Sequence, residues 1–286
     1  MPERGSPHTF AIVPARGKAD SHELAPRIHA WLRERGRATI DEAAIRAGEP
    51  ADALVALGGD GLMMRMAHSF PGTPLLGINF GKVGFLAMAE QSQWQEVLAE
   101  ILDGDFEVQD GPTLDARVGS DGELIDVGWA INDVVVRSGI QMIDVELYID
   151  GRYVNTYPGD GMIIASPQGS TAYCMAAGGP ILTAGVSGFA ITPISPHSPI
   201  RSTLVVPEDS RIELAVIGDR EAHLILDGQI TKPLAHGQLV SVTHSPHRFR
   251  LIMTEQMNFY SAFQSKFNYL IRPGAVPSLG HVRREH

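Results

Sequence analysis

Ala53-Leu54-Val55-Ala56-Leu57-Gly58-Gly59-Asp60-Gly61 decides how the first third of this chain folds. Five apolar residues in a row make a strand buried on both faces, as in parallel sheets covered by helices. The run stops at two glycines, and residues 61–69 then take up helical spacing. Strand, glycine turn and helix are therefore expected in that order. Asp60 is a candidate N-cap on this local view. The same glycines let a phosphate or sugar approach the backbone closely and free N–H groups for an anion. A carboxylate at such a turn repels phosphate, so it implies a base or a metal ligand. The Gly-Lys-Ser/Thr ending of a Walker A loop is absent.

Working outward, Phe10-Ala11-Ile12-Val13 and Pro74-Leu75-Leu76-Gly77-Ile78 are further buried runs. Leu24, Ile28, Trp31 and Leu32 predict a helix, with Asp20 or Ser21 as its cap, Pro26 near its start and Gly36 as its stop. Trp94, Val97, Leu98, Ile101 and Leu102 predict another, ending at Gly104. Alternating strands and helices imply a parallel sheet covered on both faces. Near residue 105 the helical spacing gives way to short β-like runs. Met142 to Ile149 and Tyr153 to Tyr157 flank Asp150-Gly151, a hairpin signal; Asp121-Gly122 is a second candidate turn. Arg211 to Ile217, His223 to Leu226, Leu239 to Thr243 and Phe249 to Met253 continue the pattern, with one helical stretch near Thr171 to Ala177. Helical spacing returns in Phe259, Phe263, Phe267 and Leu270, with Asn258 as cap and Pro273 beyond. The expected architecture is an α/β domain over residues 1–105, completed by residues 256–286. A β-sandwich covers residues 106–255, and the carboxy-terminal helix packs back on the first domain.

Composition narrows the class. The chain has 286 residues, 44 % hydrophobic and 20 % charged, which is globular. Its formal net charge is −10, which argues against nucleic acid as the partner. No apolar run reaches membrane-spanning length, and Met1 to Ser6 is polar. With a single cysteine, Cys174, a cytoplasmic location is expected.

Three more segments carry candidate chemistry. Gly77-Ile78-Asn79-Phe80-Gly81-Lys82-Val83-Gly84-Phe85-Leu86 is a second strand running into a glycine loop, with Lys82 for phosphate and Phe85 for stacking. Asn132-Asp133 suits adjacent ribose hydroxyls, or an Asx turn opening a strand. The third runs from Gly159-Asp160-Gly161 through Pro167-Gln168-Gly169-Ser170-Thr171-Ala172-Tyr173, where a strand ends in a hydroxyl-rich helix start. His244 and His247 lack the further ligands of a metal site. Cys174 lacks a nearby base and reads as structural.

Gly58-Gly59-Asp60-Gly61, Asn132-Asp133 and Gly169-Ser170-Thr171-Ala172-Tyr173, in this order, resemble the NAD kinase family. The match spans about Ala53 to Gly179, with an echo in Leu226-Asp227-Gly228-Gln229. The resemblance implies phosphoryl transfer from ATP or polyphosphate to the 2′-hydroxyl of the adenosine ribose of NAD, making NADP. It implies a divalent metal, magnesium, arriving with the donor, and a homo-oligomer, dimer or tetramer. Carried over by motif position, Asp60 is the general base and binds NAD together with Gly61, Phe85, Asn132, Asp133 and Asp160. Thr171, Ala172, Tyr173, Cys174, Met175 and Ala176 hold the rest of the dinucleotide, with Ser195 and Gln229 as further contacts. Gly58, Gly59 and Arg65 face the donor phosphates. Three departures stand out: Asp133 where Glu is common, Leu62-Met63-Met64 where Thr is common after the motif, and Gln168 where Thr or Ser is usual. A lipid or sugar kinase and a non-catalytic dinucleotide sensor are the competing classes.

Overall fold

In the computed structural model the described residues are 5–81, 84–120, 122–183, 185–197, 199–255, 257, 259, 260, 262, 263 and 266. The strand Ala53–Leu57 is buried at every position and lies inside a seven-stranded sheet. Thr9–Pro14 and Leu75–Asn79 pair with it in parallel on its two sides, and Ala38–Asp41 pairs with Thr9–Pro14. Helices Ala19–Glu34, Asp60–Ser69 and Trp94–Asp103 cover the sheet through Leu24, Ile28, Leu32, Met63, Met66, Val97 and Ile101, all buried.

The first helix starts earlier than its polar residues suggest. Lys18 occupies the N-cap position, and the Ser21 hydroxyl donates to the Lys18 carbonyl oxygen at 2.7 Å instead of capping. Pro26 therefore lies inside the helix, where it removes one N–H from the ladder. Ala38–Asp41 and the short helix Glu42–Arg46, capped by Asp41, are additions to the sequence-based picture. They are too brief to show a period.

Two six-stranded antiparallel sheets form the sandwich. One runs Arg152–Gly159, Ile143–Ile149, Ile212–Ile217, Leu239–His244, Leu114–Ser120, Glu123–Ala130. The other runs Leu204–Pro207, Gly188–Ile194, Gly161–Ala165, Asp133–Ser138, Ala222–Leu226, Ile230–Leu234. In the first, Ile143, Val145 and Leu147 alternate inward with Asp144 and Glu146, as a one-sided sheet requires. In the second, Gly161–Ala165 and Gly188–Ile194 are buried throughout. Their outer face is covered by Cys174 and Leu182, which pack with Val135, Ile163 and Ala190. The predicted hairpin is present, with Asp150 and Gly151 both at positive φ. Gly122 turns at φ 86, while Asp121 lies outside the described residues.

Two strands change sheets relative to the sequence-based division. Phe249–Met253 pairs with Leu75–Asn79 in parallel and with Glu107–Gly111 antiparallel, so both belong to the first sheet. The apolar run Phe249 to Met253 looks like a sandwich strand, and residues 107–111 fall on the sandwich side of the division near residue 105. Non-local pairing, which no local pattern encodes, decides otherwise. Helical residues reappear at Phe259, Tyr260, Ala262, Phe263 and Lys266; Asn258, Phe267, Leu270 and Pro273 lie outside the described residues. Ala262 is buried in the first-domain core and Phe259 and Phe263 pack against it, so the returning segment seats where expected.

Phe249 is 1 % exposed and sits in that first-domain core. Phe249→Ala should cost about 3–5 kcal/mol, measured by urea unfolding. Amide exchange should accelerate first in Leu75–Asn79 and Glu107–Gly111, ahead of the sandwich strands.

Candidate active site

A cleft of about 290 Å³ opens between the two domains. From the first domain it takes Asp60, Gly61, Met64, Phe85, Leu86 and Lys266; from the second, Asn132, Gln168, Thr171, Ala172, Asp227 and Gln229. Motifs far apart in the chain thus face one another across one space.

Gly59, not Asp60, is the N-cap of the helix Asp60–Ser69. The Asp60 carboxylate turns to the second glycine loop instead. Its Oδ2 accepts from the Phe85 N–H at 3.0 Å, and its Oδ1 from the Leu86 and Ala87 N–H groups at 3.1 and 3.0 Å. A Cβ at Gly84 would lie 1.8 Å from Asp60 Oδ1, so only glycine fits there. Gly58 is also a packing requirement, since a Cβ would meet Leu62 at 2.8 Å. None of the described residues fills the space beside Gly59 or Gly61, and neither has positive φ. Their smallness leaves room over the helix N-terminus for something other than protein.

The opposite wall is held by a second aspartate. Asp227, at φ 49, accepts from the Ile131 N–H at 2.8 Å on Oδ2 and from the Asn132 and Asp133 N–H groups at 2.7 and 3.0 Å on Oδ1. Across from it, Ser166 N donates to the Asn132 carbonyl at 2.9 Å, and a Cβ at Gly169 would lie 1.9 Å from that same oxygen. The segment Ile131–Asp133 is gripped from both sides. This leaves Asn132 Oδ1 buried without a hydrogen-bond partner, and Gln168 Oε1 likewise, both on residues that line the cleft.

Several predicted residues lie elsewhere. Asp133 is 6 % exposed and does not line the cleft. Burial, and then the neighbouring Asp227 charge, push its carboxyl up to about 7. Arg65 points away from the cleft toward Glu42, at 2.8 Å. Burial alone would raise the Glu42 carboxyl, but hydrogen bonds from Arg46 and Arg65 hold it below the usual range. Arg65 is thus engaged with the short helix Glu42–Arg46 and not aimed at a donor phosphate. The expected helix start after Gln168 is a 3-10 turn, Gly169–Thr171, followed by a single α turn, Tyr173–Ala176. Small hydroxyl side chains spend their bonds locally there: Thr171 Oγ1 donates to the Gln168 carbonyl at 3.0 Å. The Cys174 side chain is fully buried, 3.3 Å from Thr192 Oγ1, and burial pushes its thiol up. Tyr173 and Met175 are half-buried and Ala176 exposed, beyond the cleft lining. Asp160 and Ser195 are exposed and adjacent, since the Asp160 N–H donates to the Ile194 carbonyl, but they too stand outside the cleft.

Two charged lining residues, Asp227 and Lys266, were missed in the sequence, beside the uncharged Met64, Leu86 and Gln168. Asp227 lay in the noted Leu226-Asp227-Gly228-Gln229, where an Asp-Gly turn was the available signal. Lys266 sits in the carboxy-terminal stripe with no local mark of function. Its Nζ is 3.9 Å from Asp60 Oδ2 and 4.0 Å from the centre of the Phe85 ring. Among the described residues that line the cleft, it carries the only cationic side chain.

Gly84→Ala should displace the Asp60 carboxylate and lower turnover at least about 10²-fold, as misplacement of a reacting group does; steady-state assay beside a thermal melt checks this. The raised Asp133 carboxyl binds a proton in the folded state that it releases when unfolded. Its site is therefore favoured below the ordinary carboxylate range and disfavoured as pH rises through about 7. Between about pH 4 and pH 8, Asp133→Asn should gain stability relative to the parent by more than about 1.4 kcal/mol, the equivalent of one pKa unit. Paired urea titrations at the two pH values measure it.

Comparison with known proteins agrees with this geometry. The model of the ATP-NAD kinase N-terminal domain matches residues 10–106, and that of the ATP-NAD kinase C-terminal domain matches residues 131–254. An NAD kinase of Thermomicrobium roseum is 55 % identical over 270 residues, 94 % of each chain. An NAD kinase of Methylibium petroleiphilum is 35 % identical over 246 residues, 83 % of this chain and 81 % of that one. Among solved structures, yeast NADH kinase complexed with NADH superposes with a TM-score of 0.78 at 20 % identity, covering 95 % of this chain and 90 % of that one. An NAD kinase from Archaeoglobus fulgidus in complex with ATP gives 0.72 at 25 % identity, covering 90 % and 98 %. With both domains matched in order and a relative this similar along nearly its whole length, the chain belongs to the NAD kinase family.

Proposed function

We propose that this protein transfers a phosphoryl group from ATP or polyphosphate to the 2′-hydroxyl of the adenosine ribose of NAD, with Asp60 as the base. The observation that carries this is the Asp60 carboxylate, fixed by three N–H donors beside two glycines against which no described residue packs. A carboxylate offers about four acceptor positions; three are used by these N–H groups, and Lys266 Nζ stands 3.9 Å from Oδ2. Phosphoryl transfer asks chiefly for positioning, and the three N–H bonds fix the carboxylate in place.

Asn132 Oδ1 and Gln168 Oε1 supply two unpaired acceptors, which fits the exocyclic amine of adenine. Phe85, Thr171, Ala172 and Gln229 complete the adenosine side, and the rest of the dinucleotide extends along Tyr173, Met175 and Ala176. Lys266 faces the phosphates in place of Arg65. No group of three metal-ligating side chains occurs among the described residues. A magnesium ion arriving on the donor phosphates would find the Asp60 carboxylate in reach and would neutralise phosphate charge. No helix of the described residues is long and apolar enough to cross a membrane. A cytoplasmic location fits the single buried cysteine.

Asp60→Asn should lower turnover about 10²–10⁴-fold. An amide cannot accept from all three N–H groups, so the loop 85–87 should also loosen. The test gives purified protein NAD, ATP and magnesium and identifies products by mass. NADP from the parent and near-zero NADP from the variant are expected. Near-parental turnover would remove Asp60 as base. Phosphorylated lipid or sugar in place of NADP would overturn the dinucleotide reading, and tight NAD binding without product from any donor would favour a sensor.

A further inference from the structure

His68 lies on the helix Asp60–Ser69 and does not line the cleft. Its Nε2 is 2.8 Å from Asp227 Oδ2, across the boundary between the two domains. Asp227 already accepts three backbone N–H bonds and is 2 % exposed. Oδ2 already accepts from the Ile131 N–H, so in this contact too it is the acceptor and His68 Nε2 the donor. The imidazole is held against the Trp129 ring at 4.4 Å between centroids, and Trp129 in turn against His247 at 4.8 Å.

This bond changes the chemistry of both aspartates. With His68 as fourth donor, the acceptor positions of Asp227 are filled, although Asp227 lines the cleft. Asp60 has three such donors, with Lys266 Nζ 3.9 Å from its Oδ2. The filled carboxylate of Asp227 serves as anchor. The bond also has mechanical consequences. His68 is eight residues beyond Asp60, about 12 Å along the same helix. It ties that rigid element to the segment Ile131–Asp133 through a single carboxylate.

We propose that His68 is a positioning residue for phosphoryl transfer: its bond to Asp227 locks the Asp60 helix to the Asn132 wall and so sets the width of the cleft. The effect is on the placement of Asp60 relative to the bound adenosine, and not on binding of either substrate alone. The proposal rests on the NAD kinase activity above for its kinetic consequence, but the tie itself is testable without it.

Two substitutions separate the hydrogen bond from the ring. His68→Phe keeps an aromatic ring on Trp129 and removes the donor. His68→Gln supplies an amide donor near the Nε2 position and removes the ring. The full chain is assayed with NAD, ATP and magnesium, beside calorimetric NAD binding, thermal melts and amide hydrogen exchange. Expected for His68→Phe is a loss of kcat of about ten-fold or more, as for a bond to a charged group, with NAD affinity changed less than about three-fold. Exchange at Ile131, Asn132 and Asp133 should speed up, while Phe85, Leu86 and Ala87 stay protected by Asp60. For His68→Gln, kcat should stay within about three-fold of the parent. Parental kcat in His68→Phe, equal losses in both variants, or unchanged exchange at Ile131–Asp133 would each overturn the proposal. If His68→Phe does not fold, a loss above about ten-fold in folded His68→Gln overturns it instead. Absence of NADP from the parent would overturn the activity alone, and the exchange comparison would still decide the tie.

Discussion

Buried backbone N–H groups outside helices and sheets must find acceptors, and here two aspartates meet that requirement for the whole cleft. Asp60 accepts from residues 85–87 and Asp227 from residues 131–133. Each carboxylate holds three consecutive peptide N–H groups. Were either lost, several N–H groups would be left unpaired, and a segment carrying cleft residues would have no fixed position. The walls of the site are therefore consequences of two ionised side chains as much as of the sheets behind them.

Close approach makes these bonds possible. Gly84 lets the Asp60 carboxylate reach its loop, and Gly169 lets the Asn132 carbonyl lie against the turn after Gln168. Gly59 and Gly61 meet no such neighbour among the described residues. Charge is divided in the same way. Arg65 balances Glu42 on the outer helices, whereas Lys266, delivered by the last described helical residues, stands beside Asp60.

The chain order of strand, glycine turn and helix was legible in Ala53 to Gly61, because a buried parallel strand and an amphipathic helix have distinct periods. The sandwich was legible in its alternating strands and its Asp150-Gly151 turn for the same reason. Helix starts were less so: Lys18, not Asp20 or Ser21, caps the first helix, since capping depends on where the preceding chain enters. Sheet membership of Glu107–Gly111 and Phe249–Met253 was illegible, because a strand's partner is a long-range choice.

For the site, sequence alone determined which residue types are present and in what order: Asp60 among glycines, Asn132-Asp133, and the hydroxyl run after Gly169. Motif residues carry that information in their chemistry. Only the tertiary structure decided how they are used. It turned Asp60 from a cap into the clasp of a second loop, withdrew Asp133 and Cys174 into the interior, and aimed Arg65 at Glu42. It also brought Asp227 and Lys266 to the cleft from the two later parts of the chain. The reason is that a side chain's role depends on which donors, charges and open space surround it. Those neighbours come from segments tens to hundreds of residues away, assembled only when the sheets close.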